Sequence, residues 1–204
     1  MRGPGRRPSA LLLVLDGTLI ARDAAFAAWL ARLGLEPAVE ARLTALDQGG
    51  HGPRAPLFAA LGAALGTGPA PARARFHREL PGHVARRPEV AAWLDGFDGP
   101  KVVVTNGTGR LQRAKLDAAG LAAHVDAVIT SGEHGAAKPQ PSIFRAALAL
   151  AGVAAADAVM IGDHPRHDLA GARRVGMAAI LIRSPWLDVP PGETALDSPC
   201  EVVW

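Results

Sequence analysis

Asp16, Thr105, Asn106, Lys138, Asp163 and Asp168 stand in four separate stretches, LLLVLDGTLI, VVVTNG, AAKPQPSIF and MIGDHPRHDL. A phosphate-ester site needs a divalent cation held by carboxylates, positive charge and donors on the phosphoryl oxygens, an attacking group, and a proton donor for the leaving oxygen. Asp163 and Asp168 have the chemistry of Mg²⁺ ligands, since that ion takes one or two carboxylates and keeps several waters. Lys138 would neutralise phosphate charge, Thr105 and Asn106 would donate hydrogen bonds, and Asp16 would serve as acid and base. Singly, each residue has a plainer explanation: a strand-end Thr-Asn is a turn, Gly162-Asp163 a helix cap, Lys138 a solvated loop lysine. Their joint placement at successive strand ends favours the chemical explanation.

The elements that must position them alternate. Leu11 to Leu15 is an apolar run that delivers Asp16 to a glycine turn, as a buried strand would. Further strands are expected at 101–105, 127–130, 158–161 and 178–182, with helices at 110–119, 142–150 and 168–175 between or after them. Strands alternating with helices of about ten residues predict a parallel, doubly wound α/β sheet, whose ligands bind beyond the carboxyl ends of the strands. Between the first strand and the second lies a wholly helical stretch, 21–80, interrupted by the glycine- and proline-rich loop DQGGHGPRAP with His51 and Arg54. An insert at that point is expected to hang over the strand ends. The expected organisation is a core of 9–20 and 81–190, a helical cap of 21–80, and tails at 1–8 and 191–204.

A chain of 204 residues is long enough for one substantial core. The single cysteine, Cys200, cannot form an internal disulfide, which suits a reducing cytoplasm. Net charge is +3, dispersed rather than striped, and with no tyrosine and 4% aromatics there are few platforms for stacking bases, so nucleic acid is not expected as a partner. The basic start and short apolar run resemble a signal peptide only superficially, and no apolar stretch approaches the ~20 residues of a membrane span.

The order DGTL, VVVTNG, a lysine in AAKPQPSIF and MIGDHPRHDLAGARRVGM resembles the four motifs of the haloacid dehalogenase (HAD) superfamily, mostly phosphohydrolases. TNGTGRLQRAKL and ITSGEHGAAKPQPSIF are similar to the subgroup with a small helical cap after the first motif. The resemblance implies a Rossmann-like core in which Thr105, Asn106, Gly107 and Lys138 hold phosphate, Asp16 is acid and base and lends its backbone carbonyl to Mg²⁺, and Asp163 binds that ion with Asp168 in support, with His51 and Arg54 in a cap loop. It also implies an attacking aspartate two residues before Asp16, where this chain has Val14. Valine has no lone pair and removes one carboxylate from the metal site. Val14 and Asp16, two apart along a strand, would share a face.

The expectation is a HAD-like protein that forms no phosphoaspartate, has a weakened or absent Mg²⁺ site, and keeps a capped pocket for a small anionic or phosphorylated metabolite. Two alternatives stay open: an active Mg²⁺-dependent small-molecule phosphatase, and a non-hydrolytic enzyme using Asp16 as acid and base.

Overall fold

The computed structural model describes residues 7–203, so Arg2 and Arg6 of the basic start, most of the tail expected at 1–8, and Trp204 lie outside the described residues. The chain divides into two compact units, one built from the chain before Ala21 and after Ala85, the other Ala21–Ala85.

The first unit is a parallel sheet of six strands: β1 (Ala10–Leu13), β2 (Lys101–Thr105), β3 (Ala127–Thr130), β4 (Ala158–Gly162), β5 (Ala178–Ile182) and β6 (Ala195–Leu196). Their order is β3-β2-β1-β4-β5-β6. The chain winds outward from β1 through β2 to β3, then crosses back to β4 on the other side of β1, so the switch point lies between β1 and β4, Leu12 pairing with Val102 on one side and Met160 on the other. Such a crevice is where open α/β sheets bind ligands. β1 and β4 are buried along their whole lengths, as unbroken apolar runs in a sheet covered on both faces should be. Helices α5 (Pro88–Asp95), α6 (Gly109–Ala118), α7 (Ser131–His134), α8 (Pro141–Ala151) and α9 (Gly171–Arg173) belong to this unit. α8 starts on proline and stops at Gly152, whose φ of 67° needs no Cβ to be accommodated. Its Ile143, Phe144 and Ala147 join Leu12, Val14, Val102, Val104 and Met160 in one apolar cluster.

The segment expected to be tail at 191–204 supplies β6, which pairs with β5, and a turn at Pro199–Glu201. Trp93 donates its indole N–H to the Val202 carbonyl at 3.0 Å, and Cys200 Sγ lies 3.7 Å from the Glu89 carbonyl, so this end is fixed to α5. The helix expected over 168–175 begins earlier, as a π-helical turn at Pro165–Ala170, because Pro165 opens it and His164 Nδ1 caps it by accepting from the N–H groups of Arg166 and His167.

The second unit is helical: α1 (Arg22–Ala31), α2 (Pro37–Asp47), α3 (Arg54–Ala64) and α4 (Pro69–Glu79), closed by a short turn at Leu80–His83 that packs on α1. That packing carries the unit past residue 80, the boundary expected from sequence, to Ala85. Phe26, Trp29, Phe58 and Phe76 meet edge-on or tilted in its centre. Beside them the buried Arg22 makes a paired contact with the buried Asp47, its second bond 2.8 Å long, while its guanidinium lies 5.0 Å from the Phe26 ring centroid.

Candidate functional site

Beyond the ends of β1, β2 and β4, contacts between residues close into a ring. β1 stops at Leu13 and the chain turns over Leu15–Leu19 through Leu19 N–H to Leu15 O at 3.0 Å. Asp16 is then held by a single bridge to Ile20. The Asp16 carboxylate pairs with the Lys115 ammonium of α6. One turn earlier, Gln112 donates to Thr105 Oγ1 and to the Asn106 carbonyl, both at 2.6 Å, and more weakly to Asp16 Oδ2 at 3.3 Å. Asn106 Oδ1 accepts from the Lys138 backbone N–H at 2.9 Å, and its amide donates to the Lys138 carbonyl at 3.2 Å. The Lys138 ammonium lies 2.7 Å from Asp168 Oδ1 and donates to the Val104 carbonyl at 2.9 Å. Asp168 Oδ2 and Val14 Cγ2 both stand 2.6 Å from where a Cβ on Gly162 would lie, so only glycine fits there. Asp163 comes next in the chain, and its carboxylate closes the ring by packing on Gly17, whose φ is +74°.

The residues expected from sequence are thus brought together, with roles that differ in detail. Both polar ends of the Asn106 side chain are bonded to the Lys138 backbone, so it fixes the lysine loop rather than serving solely as a phosphate donor. The Gly107 N–H donates to Ser131 Oγ at 2.9 Å. Val14 is 5% exposed and belongs to the apolar cluster under α8, whereas Asp16 is placed by α6. Arg54 directs its guanidinium to the Asp47 side chain and to the carbonyls of Asp47 and Gly52, closing its own loop, and His51 lies in that loop, half-buried.

Gln112 and Lys115 are the residues of this ring that the motifs did not nominate. Each is 2% exposed. A signal existed: 112, 115, 116 and 119 fall on one helical face, and Leu116 and Ala119 there are buried. Two polar residues in register with that apolar face needed partners, and Asp16 and Thr105 are those partners.

The Mg²⁺ site expected on Asp16, Asp163 and Asp168 lacks part of its carboxylate set. Asp168 stands between the Lys138 ammonium at 2.7 Å and the His164 N–H at 2.8 Å, and the Asp16 carboxylate is paired with Lys115, which leaves the Asp16 backbone carbonyl as that residue's metal donor. Val14 offers no donor. Among the described residues no group of three or more His, Cys, Asp or Glu side chains is placed to hold an ion. The neighbouring His164 and His167 stack with ring centroids 3.7 Å apart, a capping arrangement.

A family model for haloacid dehalogenase-like hydrolases matches residues 15–176, most of the chain. The chain belongs to that family. Among curated relatives, the phosphoserine phosphatase of Thermus thermophilus is 48% identical over 86 residues, covering 42% of this chain and 32% of that protein. The N-acylneuraminate-9-phosphatase of Rattus norvegicus is 34% identical over 98 residues, covering 48% and 38%. These matches span about a third of the relatives' length. Among solved structures, the HAD-hydrolase YfnB of Bacillus subtilis, bound to magnesium, covers 93% of each chain with a TM-score of 0.76 at 19% identity. The L-2-haloacid dehalogenase of Xanthobacter autotrophicus, with chloropropionic acid covalently bound, covers 86% of this chain and 77% of its own with a TM-score of 0.69 at 21% identity. At those identities the likeness is one of fold. No helix among the described residues is long and apolar enough to cross a membrane.

Proposed function

We propose that this HAD-family chain binds a small phosphorylated or otherwise anionic metabolite without forming a phosphoaspartate. The observation that carries the proposal is Val14: at the position where the family resemblance places the attacking carboxylate stands an isopropyl group, 5% exposed and packed into an apolar cluster. Covalent catalysis needs a lone pair at that atom, and none is available. Asp16 does not replace it, being two residues further on and paired with Lys115. Thr105 and the Lys138 ammonium are the groups suited to phosphoryl oxygens, and the phosphatase names of the relatives support a phosphate ester as the ligand class. Mg²⁺ supplies charge neutralisation of phosphate when bound in such proteins; since part of its carboxylate set is lacking here, no step is assigned to it.

The intact ring from Asp163 to Asp16 favours a second reading, hydrolysis by direct attack of water. The Lys115 pairing, by contrast, weighs against a role for Asp16 as an acid toward substrate, because its carboxylate is already turned to an ammonium.

Calorimetry with inorganic phosphate and a panel of phosphate monoesters, O-phosphoserine among them, tests both readings alongside turnover of the same panel. Binding of at least one ester, abolished by Lys138→Met, with no turnover above buffer, is the expected result. Turnover on the ordinary enzyme scale of about 1 s⁻¹ or more would replace the binding reading with the hydrolytic one.

A further inference from the structure

We infer that this site is charge-compensated from within, by the Lys115 ammonium on Asp16 and the Lys138 ammonium on Asp168, and so is complete without a divalent cation. The inference rests on the proposed reading only for where the site lies, and its test uses no metabolite, so the two can fail separately.

Lys115 carries the argument. It is 2% exposed on α6, and a buried ammonium is tolerated only when paired. Its partner is the Asp16 carboxylate, the group expected beside a metal. Gln112, a turn away and equally buried, donates to the same carboxylate and ties it to Thr105 and the Asn106 carbonyl. Across the ring Lys138 answers Asp168, whose other oxygen takes the His164 N–H. Asp16 and Asp168 are thus matched one to one by lysines. Asp163 packs on Gly17, and Val14 stands beside Asp168, where a further carboxylate would tip the balance toward negative charge. Mg²⁺ demands near-ideal octahedral geometry and gives up water reluctantly, so two ammonium groups fixed among the same carboxylates oppose it by repulsion and by engaging the Asp16 and Asp168 side chains.

The compensation should be visible in stability alone. Thermal unfolding of the wild type in EDTA and in 10 mM MgCl₂, at matched ionic strength, is expected to give the same midpoint within about 1 °C, because a cation that does not bind the native state cannot stabilise it. Lys115→Met leaves Asp16 without its ammonium, and Val14→Asp sets a new carboxylate beside Asp168. Both variants are expected to unfold at lower temperature in EDTA and to recover by about 5 °C or more in Mg²⁺ at a hundredfold excess over Kd. If Lys115→Met alone does not fold, Lys115→Met with Asp16→Asn, which removes both charges, is expected to fold and to ignore Mg²⁺. A saturable, millimolar Mg²⁺ stabilisation of the wild type would overturn the inference. So would a Lys115→Met protein as stable as the wild type and indifferent to Mg²⁺, since Lys115 would then compensate nothing.

Discussion

Exchanging a carboxylate for an isopropyl group changes both charge and reactivity at position 14, and its surroundings match the change. Val14 packs with Leu12, Val104 and Ile143, while the nearby Asp168 is turned to Lys138 and the His164 N–H. The same residue-scale accounting applies to Gln112, whose amide bridges Thr105, Asn106 and Asp16. Gln112→Leu leaves a buried hydroxyl and a carbonyl without their donor and should cost about 1–3 kcal/mol in urea unfolding. Gln112→Glu should cost more, because it turns a carboxylate toward Asp16 and the Asn106 carbonyl. A Gln112→Glu protein as stable as Gln112→Leu would show that the amide does not face those oxygens.

At the scale of elements, the central strands are easier to read from sequence than the short pairings at the sheet's edge. β2 to β5 and the helices α6 and α8 appear in the sequence because apolar runs and helical periods are local signals. β6 was not legible, being two residues in a proline-rich stretch whose pairing with β5 is decided by tertiary contact. Gln112 and Lys115 were missed for a related reason: a polar residue on an apolar helical face means nothing until its partner on another strand is known. The helical insert offers its own tests. Asp47 is 1% exposed and takes contacts from both Arg22 and Arg54, so Asp47→Ala strands buried positive charge and should destabilise by about 3–5 kcal/mol, whereas Arg22→Met with Asp47→Leu should lose much less.

Glu79 makes a milder, pH-dependent contribution. Burial alone would raise its pKa, but bonds from the Trp29 indole, Arg75 and Arg78 outweigh that and hold the carboxyl below its ordinary 4.5. A carboxyl lowered in the folded state contributes stability that is complete above the unfolded value and is lost as pH falls through the folded one. Glu79→Gln should therefore lower the unfolding midpoint by about 1–4 °C at pH 7, and the gap should narrow as pH falls below 4.5. A gap that persists in acid would assign Glu79 a role other than its charge.

At the scale of the whole molecule, the sheet order places the switch point between β1 and β4, and the two aspartates just past those strands, Asp16 and Asp163, stand at it. That much was written in the order of the motifs. What could not be read there is the state of the ring: which carboxylates lysines already hold, and that residue 14 faces apolar neighbours. The central claim is that position 14 decides whether this fold performs phosphoaspartate chemistry. Its most direct test is the rate of p-nitrophenyl phosphate hydrolysis in Mg²⁺ by the wild type, Val14→Asp, and Val14→Asp with Asp163→Asn. The wild type should stay at background, Val14→Asp should rise above it by orders of magnitude, the scale on which a covalent nucleophile is felt elsewhere, and the double variant should fall back. A wild type that already hydrolyses the ester as fast as Val14→Asp would contradict the claim.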